Sequence, residues 1–368
     1  MSQEFNYCKN PNFPNRYISP ESLFKYIQEN LSDYVLQIGN STLGLPIYQF
    51  SYGTGEKKIL AWSQMHGNES NSTHSMLDLW YSIEQNPDLK NQLFSKISLD
   101  FIFMLNPDGS KAWTRRNAAD IDLNRDFLQV ASCEMKLLKK ISFSNKYDFA
   151  LNLHEQRTIF TSDGVHPATL SFLAPSENFE REITPTRTKC MDIIGKVFNK
   201  MNGLIPNQIA RYSDEFYPTS TGDNLIKAGI PSILFEGGHF VDDYQRFQTR
   251  KFYTIALYHA LVAISEFDEQ KIEYQDYFQI PINKETHFDV IYRNVNLNTS
   301  FECIVDIAVQ YKEVIEDGNQ EILFVPYVQE VGDLHRKKGW KEYDCTGKIF
   351  KSNTKFPKVD AMQNFEIV

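Results

Sequence analysis

The chain has 368 residues, 42% of them hydrophobic and 23% charged, with a formal net charge of −9 and a pI near 5.5. That is enough sequence for about two domains, or for one large α/β domain with an appendage. The acidic balance lacks the basic stripe that tracks phosphates, which excludes nucleic acid as a partner.

In chain order, apolar residues at helical spacing behind Ser19-Pro20 predict a helix over 20–31. The runs "LPIYQFSYG" and "KKILAWSQ" read as two strands separated by a Gly-containing turn, a hairpin-like pair. An amphipathic helix follows Glu69, and "ISLDFIFMLNPDG" at 97–109 reads as a buried strand ended by an Asn-Pro-Asp-Gly turn. Further on come a helix near 133–145, a strand at 147–153, a helix over about 177–202, a helix near 220–228, a strand at 231–236 and a helix near 242–266. This alternation predicts an α/β fold with a mixed, mostly parallel central sheet flanked by helices. A boundary near 270–280 divides a unit of residues 1–270 from a C-terminal β-rich accessory domain over 275–368, where runs at 286–295, 300–311 and 320–331 are strand-like.

Cys8, Cys133, Cys190, Cys303 and Cys345 are scattered and odd in number, so they form neither a disulfide framework nor a thiolate cluster. The amino terminus has no basic start followed by an apolar run, and the apolar stretch at 254–264 is too short and too polar to span a bilayer. A cytoplasmic chain without a membrane partner is expected.

Chemistry concentrates at strand ends. His66 follows "KKILAWSQ", Glu69 comes three residues later, and His154 follows "YDFALNL". Open α/β sheets bind ligands at their carboxyl edge, and two imidazoles with one carboxylate are the donors of a catalytic zinc that keeps an open fourth position. A lone histidine is more often an ordinary hydrogen-bonded residue; three candidate ligands at strand ends reverse that expectation. Glu236 ends "PSILFE" before two glycines, which are expected to let the backbone turn and leave the carboxylate free as a general base. Asn124 and Arg125 in "DLNRDF" offer an amide and a planar fork for a substrate carboxylate, and Arg115 or Arg116 is placed to polarise a carbonyl.

"HGNE", "RRNAADIDLNRDF", "NLHEQ" and "FEGG" together resemble the zinc carboxypeptidases of the M14 metallopeptidase family, over about residues 15–266. The resemblance implies a zinc carboxypeptidase-like catalytic domain and one Zn2+ per chain held by His66, Glu69 and His154. It implies Glu236 as the general base, Arg115 as the carbonyl-polarising arginine with Arg116 as the alternative, and Asn124 with Arg125 as the carboxylate-binding pair. The tyrosine that covers the substrate is Tyr212 or Tyr217, with Tyr212 preferred. The closest type is an intracellular bacterial member acting on peptides or muropeptides. N-acyl-amino-acid deacylation, as in the aspartoacylase and succinylglutamate desuccinylase branch, is the alternative; a non-catalytic zinc-binding protein is a third reading, disfavoured because no ligand or base is missing. His74 reads as a helix surface residue, His239 as a candidate pocket residue, and Asp223 as either structural or facing a basic substrate.

Overall fold

The computed structural model describes residues 5–297, 299–316 and 321–368. Helix α1 (Pro20–Asn30) begins as its sequence dictates: Ser19 Oγ accepts from the Ser22 amide at 3.1 Å, and Pro20 needs no such partner. Strands β1 (Val35–Asn40), β2 (Pro46–Tyr52) and β3 (Lys57–Ser63) follow, then α2 (Asn71–Glu84), α3 (Pro87–Phe94) and β4 (Ile97–Phe103). The expected hairpin of β2 with β3 does not form. Strand β4 lies between them, antiparallel to β2 and parallel to β3. The cause is visible in β3, whose residues from Ile59 to Ser63 are buried without alternation, the texture of a strand with neighbours on both sides and layers on both faces.

The Asn-Pro-Asp-Gly segment after β4 is likewise not a free turn. Asn106 Oδ1 accepts from the Gly109 amide at 2.9 Å and caps a short helix, α4 (Pro107–Ala112). Next come α5 (Cys133–Ser144), β5 (Phe149–Glu155), β6 (Phe160–Thr161), β7 (Leu170–Leu173), α6 (Pro185–Met201), β8 (Ile209–Arg211), α7 (Thr221–Lys227), β9 (Ser232–Gly237) and α8 (Phe247–Ser265). The sheet runs β1-β2-β4-β3-β5-β9-β7-β8, with the parallel block β4-β3-β5-β9 at its centre. Alternate residues of β3 feed two cores. Ile59 and Ala61 join Trp80 and Leu257 on one face, while Leu60 and Trp62 join Met135 and Leu138 on the other.

Among the described residues after α8, strands and loops follow one 3-10 turn at Tyr274–Gln279, whose Tyr277 is buried with its hydroxyl accepting from the Ala174 amide at 3.3 Å. Strand β10 (Lys284–Glu285) pairs with β6, so the chain that enters the C-terminal region is stitched to the loop that leaves β5. Strands β11 (His287–Asn296), β12 (Ile304–Val314), β13 (Leu323–Gly332) and β14 (Lys338–Asp344) form a second sheet in the order β13-β12-β11-β14, and β15 (Phe350–Ser352) pairs with β16 (Phe365–Ile367). Residue 320, where the last strand-like run was expected to start, lies outside the described residues. Among the described residues no helix is long and apolar enough to cross a membrane.

Candidate active site

Strands β3 and β5 are parallel neighbours, so His66, just past β3, and His154, near the end of β5, reach the same edge of the sheet. Glu69 sits on the short loop into α2. That loop packs so tightly that a Cβ on Gly67 would collide with the backbone of Gly109 in α4. Donor atoms of His66, Glu69 and His154 all lie within 4.8 Å of one another, and all three residues are buried. His66 Nδ1 is 2.8 Å from Glu69 Oε1, His154 Nδ1 is 2.9 Å from Glu69 Oε2, and the two Nδ1 atoms are 3.1 Å apart. Two imidazole nitrogens converging beside a carboxylate are the nitrogen and oxygen donors of a zinc site with an open position, so these residues fit that ion.

The surroundings orient the donors. His66 Nε2 donates to Asp122 Oδ1 at 3.1 Å, which leaves Nδ1 as the nitrogen available toward Glu69 and His154. Asp122 also accepts from Arg115 Nε at 3.0 Å and from the Asn124 amide at 3.0 Å, capping the 3-10 turn Leu123–Arg125. Burial opposes ionisation of Asp122, but His66 and Arg115 outweigh it and hold the carboxyl well below its usual range. Sequence reasoning misses Asp122; the one signal for it is its place in "DLNRDF", two residues before Asn124. The Glu155 amide donates to Glu69 Oε2 at 3.2 Å, tying the end of β5 to the ligand loop.

His154 and Glu236 are Cα partners in the parallel pair β5–β9, so their side chains stand on one face. Burial first, then the charge of Glu69, push the Glu236 carboxyl well above the usual range, while Arg115 and Arg157 pull the other way. The two glycines behind Glu236 do not make the expected sharp turn. Gly237 continues β9, and neither it nor Gly238 has a positive φ. They permit close approach instead, since a Cβ on Gly238 would run into the Ala168 carbonyl.

A cavity of about 320 Å³ gathers His66, His154, Glu236, Arg115, Asn124, Arg125, Tyr212 and Tyr217, with Leu173, Pro175, Gly222 and Leu234 among its lining. Arg115 Nη1 lies 3.1 Å from His66 Nδ1 and 3.4 Å from Glu69 Oε1, whereas Arg116 is turned away to the Asp120 carbonyl at 2.8 Å. Asn124 Oδ1 accepts from the Thr221 amide at 3.1 Å, and the exposed Arg125 guanidinium lies 5.3 Å from the Tyr217 ring. Tyr212 packs edge-on to Phe160 in the wall; Tyr217 is 48% exposed.

Of the other sequence candidates, Asp223 shares this cavity, while His74 and His239 fall elsewhere. Asp223 accepts from Ser220 Oγ and from the Tyr217 amide at 3.2 Å, and its own amide donates to Ser220 Oγ, the cap of α7. His74 is not on a surface: it is 1% exposed and its Nε2 lies 2.8 Å from the Arg16 carbonyl, because the amino-terminal segment covers that face of α2. His239 lines a second cavity, against Arg246.

Residues 21–162 match the family model described as zinc carboxypeptidase, the M14 peptidases. Carboxypeptidase 2 of Trichophyton rubrum is 30% identical over 101 residues, 27% of this chain and 19% of that protein, so the chain spans about a fifth of the length of this curated relative. Among solved structures, thrombin-activatable fibrinolysis inhibitor superposes with a TM-score of 0.55 at 15% identity over 68% of this chain and 75% of its own. A metallo-carboxypeptidase from Burkholderia cenocepacia gives 0.54 at 16% identity, over 68% of this chain and 70% of its own. At such identity these structures establish the fold. Residues 21–162, which include the candidate metal donors His66, Glu69 and His154, are thus similar to the M14 zinc carboxypeptidases, and the fold around them is the one those solved structures share.

Proposed function

We propose that this protein is a zinc-dependent metallocarboxypeptidase that hydrolyses the C-terminal amide bond of a peptide or muropeptide. The observation that carries this reading is the convergence of His66, Glu69 and His154 with Glu236 and the Arg125 guanidinium around one cavity. His66, Glu69 and His154 hold the zinc, which when bound supplies Lewis acidity toward water and toward the scissile carbonyl. Glu236 takes the proton from the attacking water and passes it to the leaving amine. Arg115 donates to the oxyanion that develops on the carbonyl, as its reach to His66 and Glu69 allows.

Asn124 and Arg125 grip the substrate's terminal carboxylate, the guanidinium by paired hydrogen bonds. The exposed ring of Tyr217 over Arg125 suits it better than Tyr212 to cover a bound carboxylate; Tyr212 stays a wall residue near Glu236.

Zinc-loaded protein is to be assayed on free-acid peptides, the same peptides amidated at the C-terminus, muropeptides and N-acyl amino acids. Release of the last residue from free-acid peptides, with amidated ones untouched, is expected. Turnover of the acyl amino acids alone would replace the carboxypeptidase reading with the deacylase one. Glu236→Gln is expected to lower kcat by about 10²–10⁴ while zinc stays bound; a fully active variant would remove Glu236 from the reaction.

A further inference from the structure

Beside the metal donors lies a buried charge cluster that the proposed chemistry does not use. Glu155, adjacent to His154, is fully buried. Its Oε2 accepts from the Asn71 amide at 3.0 Å, at the start of α2, and its backbone amide is the one that holds Glu69. Its Oε1 meets Arg16 Nη2 at 2.7 Å, Arg157 Nη2 at 2.9 Å and Arg246 Nε at 3.5 Å. Three guanidiniums thus press on one carboxylate next in sequence to His154.

The second carboxylate comes from a different sheet. Glu313, on β12, meets Arg16 Nη1 at 2.6 Å through Oε1 and Arg157 Nη1 through Oε2, with only 12% of its side chain exposed. Without it the cluster would hold three positive charges against one, and a buried charge stripped of its partner is strongly destabilising. Even with it the cluster is short of negative charge: burial and the neighbouring Arg16 bring Arg246 down to about 9. Glu313 stays ionised there because Arg157 and Arg16 outweigh the opposition of burial. Each of Arg16 and Arg157 thus points its Nη2 at Glu155 and its Nη1 at Glu313, Arg16 Nη1 donating also to the Tyr244 carbonyl at 2.8 Å.

Resting on the zinc reading of His66, Glu69 and His154, we infer that Glu313 is a positioning residue for the metal site, acting through Arg16 and Arg157 on Glu155. By this route the C-terminal sheet tightens the grip on zinc without touching it.

The readout is zinc affinity of the full chain, measured by competition with a chromophoric chelator. Glu313→Gln keeps the shape and removes the charge, and a loss of about 10–100-fold in affinity is expected, the usual effect of removing a partner behind the ligands. Added to Glu155→Gln, the same change is expected to cost nothing further, because its route to the ligands is already cut. If Glu313→Gln does not fold, Glu313→Asp, which keeps the charge at shorter reach, is measured instead, with a smaller loss expected. Wild-type zinc affinity in the folded variant, even with a lowered melting temperature, would make Glu313 an ordinary structural residue and overturn the inference. So would losses that simply add in the double variant. A wild type that binds no zinc would instead overturn the reading of the site itself.

Discussion

At the scale of single residues, the site depends on side chains that set the direction of others. Asp122 fixes the ring of His66 and the guanidinium of Arg115 with one carboxylate. Asp122→Asn can no longer serve both as an anion, and zinc affinity by chelator competition is expected to weaken about 10–100-fold. Arg125 faces the cavity from an exposed position, and Arg125→Ala is expected to raise KM for free-acid peptides about tenfold to a hundredfold, the worth of a charge-assisted pair, with kcat changed less. Steady-state kinetics on one peptide series checks the split; an unchanged KM would place the carboxylate elsewhere. The metal donors and Arg125 are legible in the sequence because each motif is short, so donors three apart or an Asn beside an Arg are visible together, whereas the part played by Asp122 needs the fold that brings His66 to it. Glu313 is not legible either, because its partners Arg16 and Arg157 lie on distant segments and "QYKEVIED" looks like a solvated strand end. His74 misleads for the same reason, since the cover over α2 comes from far upstream.

At the scale of elements, helix starts were readable where a cap and a proline coincide, as at Ser19-Pro20. The β2–β3 hairpin failed because local sequence does not report that β4, arriving two helices later, inserts between them. Strand β1 is not legible in the sequence because half of it is exposed and its apolar residues are few. On β11, Asp289 is 1% exposed and accepts from Tyr244 Oη at 2.8 Å and from the Tyr311 amide at 2.6 Å. Burial, against those hydrogen bonds, raises its carboxyl from 3.8 to about 6. The folded state therefore holds this proton over a range where the unfolded chain has lost it. The stability it contributes is complete below about pH 4 and disappears as pH rises through about 6, a change of about 3 kcal/mol. Denaturant unfolding of the metal-free protein at pH 4.5 and 7 is expected to show this slope, and Asp289→Asn to lack it. Equal slopes would mean that Asp289 titrates normally.

At the scale of the whole molecule, the two sheets share more than a linker. Strand β10 is bound to β6, Tyr277 is buried with its hydroxyl on the Ala174 amide, and Glu313 enters the cluster behind the ligands. A chain cut after residue 286 keeps every residue of the candidate site but leaves three arginines facing Glu155 alone. It is expected to melt on the order of 10 °C below the full chain, the size of one broken buried pair or more, which calorimetry would measure. A truncated chain as stable as the whole would show the second sheet to be a passenger. The strand linking the sheets also sets an order of events. A ribosome delivers His66, Glu69, His154 and Glu236 well before it delivers Glu313, so the emerging chain carries a complete set of donors beside an unbalanced charge cluster. Metal capture in the growing chain would then be reversible, and the last strands to arrive would convert it into retention.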